Sequence, residues 1–355
     1  MRRVRESSEP LRGLEPYDPK YLPAQVMVSA NESPFDITGS LRDEVASAIA
    51  QVPFNRYPDP LAGALRDDIA AIYGLDRACV LVGNGGDELL FDLFVAYGGP
   101  GRAFLDAPPT FSVYAADARL TNTRVVSVPR REDFSLDESA VVERLAEGDV
   151  DLSIVTSPNN PTGNVVGRAT VERMLEASDA LVVVDEAYAE FSGSTVTDLV
   201  REHENLLVLR TFSKAYALAG VRVGYVLGSP AVIDELCKVR QPYSVDAVSQ
   251  AIARTVLAHR DDEIARRVAQ TRRLRSWLSD ELGRLPGVEV WPSQANFLLM
   301  RVPDAHEVWR RLLDEHAVLV RDFSGSEYLH DCLRVSVGTA QECETVVGAL
   351  EALLS

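Results

Sequence analysis

The sequence has few basic side chains for its size, and this shortage already limits its partners. Its 355 residues include 36 lysines and arginines but 53 aspartates and glutamates, which gives a formal net charge of −17. Such a balance repels the phosphate groups of nucleic acids and of anionic membrane surfaces. We therefore expect no nucleic-acid partner and no membrane partner.

Cysteines at useful spacings, paired histidines and long apolar runs are also lacking. Cys79, Cys237, Cys332 and Cys343 show no C-x-x-C spacing, so neither a disulfide framework nor a zinc site is indicated. The five histidines show no H-E-x-x-H or paired spacing, and we expect no metal. No apolar run approaches the roughly 18 residues of a membrane span, and no apolar signal-peptide segment follows the basic first residues. These features together predict a cytoplasmic protein.

What the chain does contain is an ordinary globular composition, with 46% apolar and 25% charged residues. Its length predicts roughly two domains. Short apolar strands alternate with helical segments, which is typical of an α/β fold with a mostly parallel, doubly wound central sheet. Charged helices and a strand-helix-strand-strand-helix run then predict a smaller α+β domain. We expect an N-terminal arm over 1–35, a large domain over 36–245 and a small C-terminal domain over 246–355.

Polar residues follow three apolar strands, over 152–156, 181–184 and 206–210. These strands are nearly continuous in valine, isoleucine and leucine, as expected of strands buried on both faces at the centre of a sheet. In open α/β sheets, ligands bind outside the carboxyl ends of the strands. The polar residues that follow the strands should therefore share one site; they are Asn160, then Asp185 and Tyr188, then Thr211, Ser213 and Lys214, with Arg222 eight residues further on.

This set matches what pyridoxal phosphate requires of a protein. The cofactor needs a lysine amine for a Schiff base, a carboxylate beside its pyridine nitrogen, and donors to its phenolate oxygen and phosphate. Amide donors are available at 83–88, where the sequence GNGGDE runs into a predicted helix N-terminus. This loop lacks the third glycine of G-x-G-x-x-G and the lysine of a Walker loop, which argues against nucleotide binding. Each residue alone would be an ordinary surface or capping residue, and only their combination indicates the cofactor.

On these motifs the chain resembles the fold-type I pyridoxal-phosphate-dependent aminotransferases, and within them the histidinol-phosphate aminotransferases, over essentially its whole length. The resemblance implies the fold of that family, with a large cofactor-binding domain, a small domain, and an arm that packs on the small domain and on a partner subunit. The matching segments are Glu15-Pro16-Tyr17, Ala30-Asn31-Glu32, Arg56-Tyr57-Pro58-Asp59-Pro60, 83–88, 157–163, 184–188, Thr211 to Lys214, Val221-Arg222-Val223-Gly224, Ala295-Asn296-Phe297, Val320-Arg321-Asp322 and Leu333-Arg334-Val335.

The resemblance also implies roles around the cofactor. Lys214 would bind it covalently and then act as the base that moves a proton, while Asp185 would pair with the pyridine nitrogen. Tyr188 and Asn160 would hold the phenolate oxygen. The phosphate would be held by Gly85, Gly86, Asp87, Thr211, Ser213 and Arg222, with Tyr57 reaching in from the second subunit of a homodimer.

Two positions depart from the family pattern. The ring-stacking residue is often tyrosine but is Phe111 here, and stacking should survive because it needs only the π face. Gly86 stands where serine is common, which removes a side-chain donor and leaves the backbone amide. We therefore expect the cofactor to bind, with slightly weaker contacts to its phosphate.

For the substrate, the resemblance places Arg334 at its anionic group, surrounded by Tyr17, Asn31, Tyr57, Asn160, Tyr243 and Arg321. The implied reaction is transamination of histidinol phosphate with 2-oxoglutarate in histidine biosynthesis. Related enzymes use aromatic amino acids or decarboxylate threonine phosphate, so those substrates stay open. A non-catalytic regulator with this fold is a further alternative, but the segment before Asn31 is short for a DNA-binding unit, and intact Lys214 and Asp185 favour an enzyme.

Overall fold

The computed structural model describes residues 5, 7, 9–12, 14 and 22–354. The strands within these ranges are β1 (Val26–Met27), β2 (Val80–Gly83), β3 (Ala103–Asp106), β4 (Arg124–Ser127), β5 (Leu152–Thr156), β6 (Leu181–Asp185), β7 (Leu206–Thr211), β8 (Gly224–Gly228), β9 (Glu289–Val290), β10 (Phe297–Arg301), β11 (Val318–Leu319), β12 (Arg321–Asp322) and β13 (Cys332–Ser336).

The α-helices of the same ranges are α1 (Gly39–Ala50), α2 (Gly63–Tyr73), α3 (Gly85–Tyr97), α4 (Val113–Leu120), α5 (Glu138–Ala146), α6 (Arg168–Ala177), α7 (Ala189–Ser192), α8 (Pro230–Val239), α9 (Ala247–Leu257), α10 (Ala265–Leu282), α11 (Ala305–His316) and α12 (Ala340–Leu354). Short 3-10 helices cover Glu9–Leu11, Arg77–Cys79, Thr197–Arg201 and Ala219–Val221, and a π-helical turn covers Arg260–Ile264. Within the described part of the chain, no helix combines the length and apolarity needed to cross a membrane.

The large sheet has seven strands in the order β2-β8-β7-β6-β5-β3-β4. Strands β3 to β7 pair in parallel, whereas β8 runs antiparallel to both of its neighbours. The three strands predicted at the centre, β5, β6 and β7, are internal and fully buried. The register opposes Thr156 to Asp185, so these strands end at one edge of the sheet. The predicted α/β class with a mostly parallel sheet is confirmed.

Apolar side chains cover both faces of the large sheet. One face packs against α1, α2, α5, α6 and α9, and the other packs against α3, α4 and α8. Because successive residues of a strand point to opposite faces, a strand buried on both sides must be apolar at every position. This requirement explains the continuous valine and leucine runs of β6 and β7.

A second, four-stranded antiparallel sheet has the order β12-β13-β10-β9. It shares a separate apolar core with α10, α11 and α12. The N-terminal segment joins this part of the chain, since β1 pairs in parallel with β11. That pairing agrees with an arm lying on the small domain, while the boundaries at 35 and 245 and the arm's packing on a partner stay predictions.

The start of α2 differs from the sequence pattern. Leu61, Leu65 and Ile69 fall at helical spacing, but the helix begins only at Gly63 and Leu61 remains exposed. Ala62 before it has φ of 49°, a left-handed conformation that turns the chain away from the helix axis. The helix ends at Gly74, which caps it in the left-handed conformation that glycine favours.

Candidate active site

A cavity of about 630 Å³ opens at the carboxyl edge of the large sheet. Its volume lies within the range of about 300 to 1,000 Å³ typical of small-molecule sites. The predicted residues that line it come from the segments after β1, β5, β6 and β7, from the start of α3, from the loop before α4 and from β13: Asn31, Gly86, Asp87, Phe111, Asn160, Asp185, Tyr188, Thr211, Ser213, Lys214, Arg222 and Arg334. The parallel sheet thus brings together residues that are far apart in the sequence.

Lys214 follows β7 and places its amine inside this cavity. The amine donates a hydrogen bond of 3.1 Å to the carbonyl oxygen of Ala30. Removal from water, and after it the nearby Arg334 guanidinium, lower the pKa of Lys214 from 10.5 to about 8. The uncharged amine, which a nucleophile or a base requires, is therefore more accessible near neutral pH than in an ordinary lysine.

Asp185 ends β6 and is 5% exposed. Its Oδ1 accepts a hydrogen bond of 2.9 Å from the amide of Ala187, and its Oδ2 accepts one of 2.6 Å from the hydroxyl of Tyr114. Burial raises the pKa of Asp185, while these two donors favour the ionised form. Because a carboxylate offers about four acceptor positions, Asp185 can accept a further proton donor from within the cavity.

An anion-binding end forms where α3 begins beside Arg222. Asn84 precedes the helix without a side-chain cap, so first-turn amides of α3 are left to bind an anion. Arg222 pairs with Asp87 at 2.9 Å, and a Cβ atom on Gly85, which has φ of +80°, would collide with the Arg222 guanidinium. Glycine at position 85 therefore lets the arginine approach the helix N-terminus, although Gly85 itself does not line the cavity.

Hydroxyl groups complete this end of the cavity. Thr211 donates a hydrogen bond of 2.9 Å to Ser213 Oγ, and its own oxygen accepts one of 3.1 Å from the Ser213 amide. Both side chains are buried beside Lys214. Hydroxyls, helix amides and one guanidinium make a donor set suited to a phosphate group.

The opposite wall is built around Arg334 on β13. Its Nη1 donates to Asn160 Oδ1 at 2.5 Å, and its Nη2 donates to the carbonyl oxygen of Ser29 at 2.5 Å. The guanidinium also lies over the rings of Phe297 and Phe323, at 5.4 and 5.5 Å from their centroids. These contacts hold the cation in a fixed position, as recognition of an anionic group requires.

Asn31 and Tyr188 form a buried pair at the same wall. Asn31 Nδ2 donates a hydrogen bond of 3.1 Å to the Tyr188 hydroxyl. Asn31 has φ of 54°, and both of its backbone polar groups are hydrogen-bonded. Its backbone N–H donates to Ser336 Oγ, and its backbone carbonyl oxygen accepts from Asn296 Nδ2. The position of the Tyr188 hydroxyl is therefore set by residues of the small sheet.

Arg321 lines a second cavity, of about 460 Å³, which adjoins the first. Phe111, Asn160 and Arg334 line both cavities. The guanidinium of Arg321 lies 5.9 Å from the ring centroid of Phe323. Arg321 and Arg334 thus line the same cavity, together with Arg119, beside the residues that follow the central strands.

Two predicted tyrosines line neither cavity of their own chain. Tyr57 and Tyr243 stack on each other with ring centroids 4.6 Å apart, and they are 82% and 42% exposed. For Tyr57 this placement agrees with a contribution to a partner's site, which stays a prediction, as does the role of Tyr243. Tyr17 lies outside the described residues.

The sequence reasoning missed Tyr114, Thr156 and Ala30. Tyr114 reaches Asp185 from α4, and Thr156 lies at the end of β5 with its hydroxyl 2.8 Å from that of Tyr114. Thr156 could have been found, since it ends a central strand. Nothing local marks Tyr114, and Ala30 acts through its backbone carbonyl, which its residue type does not reveal.

These residues fit pyridoxal phosphate. A buried lysine amine, a buried carboxylate that can still accept a donor, and an anion-binding helix N-terminus line one cavity. These are the three groups that the aldehyde, the pyridine nitrogen and the phosphate of the cofactor require. Across the described residues, no cluster of metal ligands is present.

Comparison with known proteins agrees with this geometry. Residues 23–350 match the family model described as aminotransferase class I and II. A histidinol-phosphate aminotransferase of Thermobifida fusca is 42% identical over 340 residues, covering 94% of this chain and 91% of that protein. One of Chlorobaculum tepidum is 36% identical over 334 residues, covering 93% and 94%.

Among solved structures, histidinol-phosphate aminotransferase of Sinorhizobium meliloti, in complex with pyridoxal 5′-phosphate, superposes with a TM-score of 0.90. It is 23% identical and covers 99% of this chain and 98% of that one, so it supports the fold. The predicted family, cofactor and reaction class are confirmed. The chain belongs to the aminotransferase class I and II family and is a pyridoxal-phosphate-dependent transferase.

Proposed function

We propose that this enzyme transfers the amino group of histidinol phosphate to 2-oxoglutarate, and in the other direction converts imidazole acetol phosphate and glutamate, in histidine biosynthesis. The observation that carries the proposal is the pair Arg321 and Arg334 on one cavity. A phosphate monoester carries nearly two charges and three acceptor oxygens, so it can engage two guanidinium groups, whereas a carboxylate is satisfied by one. The names of the relatives support the same substrate.

Different residues around the large cavity would hold different parts of the cofactor. Bound there, pyridoxal phosphate supplies an electron sink for the substrate carbon that loses its proton. Asp185 would hold the pyridine nitrogen, and Tyr188 and Asn160 would hold the phenolate oxygen. The phosphate would be held by the α3 amides at Gly85, Gly86 and Asp87, by Thr211 and Ser213, and by Arg222, while Phe111 would pack against the ring.

Lys214 would hold the cofactor through its amine and would also move the proton at the substrate carbon. Its lowered pKa, about 8, supports this second role, because a base works best with a pKa near the working pH. The hydrogen bond to the Ala30 carbonyl gives the amine a defined resting position.

Arg334 binds the anionic group of the substrate and also orients Asn160, to which it donates a hydrogen bond. Asn31 acts in the same wall by orienting the Tyr188 hydroxyl. Arg321 supplies the second guanidinium, with Tyr17 and Tyr243 as further predicted contacts. Substrate binding and cofactor binding thus share residues, because the same asparagine serves both.

A homodimer completes the proposed site. Phe54, Tyr57 and Leu61 are 77%, 82% and 45% exposed in the single chain, and Tyr243 stacks beside Tyr57. Such a group of large apolar side chains is typical of a surface covered by another protein. A second copy would cover it and would place Tyr57 at the partner's cofactor phosphate.

The substrate is tested by comparing kcat/KM for histidinol phosphate and phenylalanine as amino donors to 2-oxoglutarate, with threonine phosphate assayed for carbon dioxide release. Two additional charge-assisted hydrogen bonds of roughly 1.5 to 3 kcal/mol each predict a preference for histidinol phosphate on the order of a hundredfold or more. Arg321→Ala should reduce this preference and leave slow aromatic transamination largely intact.

Arg311→Ala is the matched control, because Arg311 pairs with Glu315 on the surface of α11. It should leave the preference unchanged. Equal efficiencies in the wild type, or a preference that Arg321→Ala does not alter, would favour an aromatic aminotransferase. Carbon dioxide release from threonine phosphate would favour the decarboxylase.

A further inference from the structure

Tyr114 is a fully buried tyrosine that reaches the carboxylate at the centre of the site. It lies on α4 and is 0% exposed. Its hydroxyl lies 2.6 Å from Asp185 Oδ2 and 2.8 Å from Thr156 Oγ1. Both distances are within the range of good O–H···O hydrogen bonds.

The protons of these groups can be assigned by counting donors. A tyrosine hydroxyl has one proton, and an ionised Asp185 can only accept, so Tyr114 donates to Asp185. Thr156 must then donate to the oxygen of Tyr114. Thr110 lies 3.3 Å from Thr156, but it donates its own proton to Asn159 Oδ1 at 2.8 Å. The result is a one-way chain of donors from Thr156 through Tyr114 to Asp185.

Packing fixes the phenol ring as well as its hydroxyl. The ring of Tyr114 meets that of Phe111 edge to face, with centroids 5.6 Å apart and an interplanar angle of 85°. It also belongs to the apolar cluster formed with Phe104, Leu152 and Ile154 on this face of the sheet. A ring held in this way cannot turn its hydroxyl away from Asp185 without disturbing the core.

We propose that Tyr114 is a positioning residue that acts through Asp185, holding this carboxylate ionised and directed at the pyridine nitrogen of the bound cofactor. Thr156 supports the same function by fixing the Tyr114 hydroxyl. The proposal rests on the cofactor bound in this cavity and not on the identity of the substrate.

The other charged and titratable groups that face Asp185 do not replace this donor. Asp87, on α3, repels its negative charge, while Lys214, after β7, attracts it. The hydroxyl of Tyr188, after β6, accepts a hydrogen bond from Asn31. Among the neighbours in the described part of the chain, the Tyr114 hydroxyl opposes the effect of burial on the Asp185 pKa most strongly.

The test is the pH dependence of the visible absorption of the holoenzyme without substrate. Tyr114→Phe removes only the hydroxyl. Without this hydroxyl, Asp185 favours a proton on the pyridine nitrogen less strongly. A pyridine ring with less positive charge makes the proton on the nitrogen that joins the cofactor to Lys214 less acidic. We expect the midpoint of the absorbance change to move upward by about one pH unit, as the loss of a hydrogen bond to a charged group predicts.

Two further variants show whether the hydroxyl chain is responsible. Thr156→Val should move the midpoint in the same direction by a smaller amount, and Thr156→Ser, which keeps the hydroxyl, should restore the wild-type value. This series also tests the proposal if Tyr114→Phe does not fold. A smaller upward shift in Thr156→Val with recovery in Thr156→Ser supports it.

Tyr225→Phe is the matched control for the loss of a buried phenol. Tyr225 is 1% exposed and its hydroxyl lies 2.7 Å from that of Tyr73, outside the cavity lining. We expect the wild-type midpoint in this variant. The proposal is overturned if Tyr114→Phe and Thr156→Val both keep the wild-type midpoint, or if Tyr225→Phe moves it as far as Tyr114→Phe does.

Discussion

The amine of Lys214 and the carbonyl oxygen of Ala30 lie 3.1 Å apart, so the reactive side chain contacts the N-terminal segment directly. The preceding residue, Ser29, accepts a hydrogen bond from Arg334 through its carbonyl oxygen. A few residues earlier, β1 pairs with β11 beside the small sheet. One short segment therefore joins the lysine, the arginine of the substrate wall and the C-terminal part of the chain.

Replacing Lys214 by alanine removes the covalent attachment and the proton carrier together. We expect turnover to fall by about 10³-fold or more, and the yellow colour of the covalently bound cofactor to be lost. Steady-state kinetics and an absorption spectrum measure both effects. Lys238→Ala, at a surface lysine that pairs with Glu235 on α8, is the control and should behave as wild type. Ordinary turnover in Lys214→Ala would show that another residue carries the chemistry.

The lowered pKa of Lys214 predicts how the stability of the cofactor-free protein changes with pH. The folded value is about 8 and the unfolded value is 10.5. Between these values the unfolded chain binds more protons, so the contribution of Lys214 to the free energy of unfolding increases as the pH rises. The slope is at most about 1.4 kcal/mol per pH unit.

Urea unfolding of wild type and Lys214→Met, from about pH 7 to about pH 10 at one protein concentration, isolates this contribution. The contributions of groups that titrate in both proteins cancel when one free energy of unfolding is subtracted from the other. Wild type should gain stability relative to the methionine variant as the pH increases through the window. A difference that does not change with pH would contradict a desolvated lysine.

Asp185→Asn should retain the cofactor but slow turnover by roughly 10²-fold or more, because a neutral amide no longer favours a proton on the pyridine nitrogen. Cofactor content after dialysis and kcat measure the two effects separately. Asp92→Asn is the control, since Asp92 is also a buried aspartate but lies on α3 outside the cavity lining. Near wild-type kinetics in Asp185→Asn would remove this residue from the mechanism.

Mixing two inactive variants tests whether Tyr57 acts in the partner's site. Lys214→Ala and Tyr57→Ala each damage every site of their own homodimer. In a hybrid dimer with Tyr57 acting across the interface, one site carries both changes and the other carries neither. Activity should therefore reappear when subunits exchange, to roughly a quarter of the wild-type value for random pairing of equal amounts. No recovery, with exchange shown by differently tagged subunits, would place Tyr57 elsewhere.

A buried ion-pair cluster behind the site predicts a large effect on stability. Arg210 on β7 pairs with Glu186 at 2.7 Å and with Glu190 at 2.9 Å, and its side chain is 8% exposed. Arg210→Met leaves the buried Glu186 and the partly buried Glu190 without their cation, which should lower the free energy of unfolding by about 3 to 5 kcal/mol. Arg311→Met, which breaks the surface pair with Glu315, should change it little. Equal losses of unfolding free energy in the two variants would mean that the burial of an ion pair does not determine its contribution to stability.

The residues at strand ends could be predicted because each central strand of a parallel sheet can be recognised from its own short stretch of sequence. A strand buried on both faces is recognisable as an apolar run, and the residue after it must lie at the carboxyl edge. Asn160, Asp185 and Lys214 were found by this rule, and all three line one cavity. The resemblance to a known family added residues outside it, such as Asn31 and Arg334.

Contacts between distant helices and strands do not follow from such patterns. Tyr114 and Asp185 are 71 positions apart, and their hydrogen bond depends on how α4 crosses the sheet. The antiparallel direction of β8 was missed for a similar reason. The sequence of β8, 224–228, does not reveal its direction. The chain returns antiparallel through the connection over 212–223, which contains a short 3-10 helix and Arg222 with φ of 57°.

Two arginines line the large cavity, Arg222 and Arg334. Because of them, the electrostatic effect of the enzyme on an anion changes from repulsion at long range to attraction inside the cavity. A chain of net charge −17 repels a doubly charged anion at long range, whereas the guanidinium groups attract it once it enters. Salt screens interactions between exposed charges beyond about 10 Å at moderate ionic strength and affects enclosed ones much less. The diffusional encounter with a phosphorylated substrate should therefore become faster, not slower, when moderate salt is added.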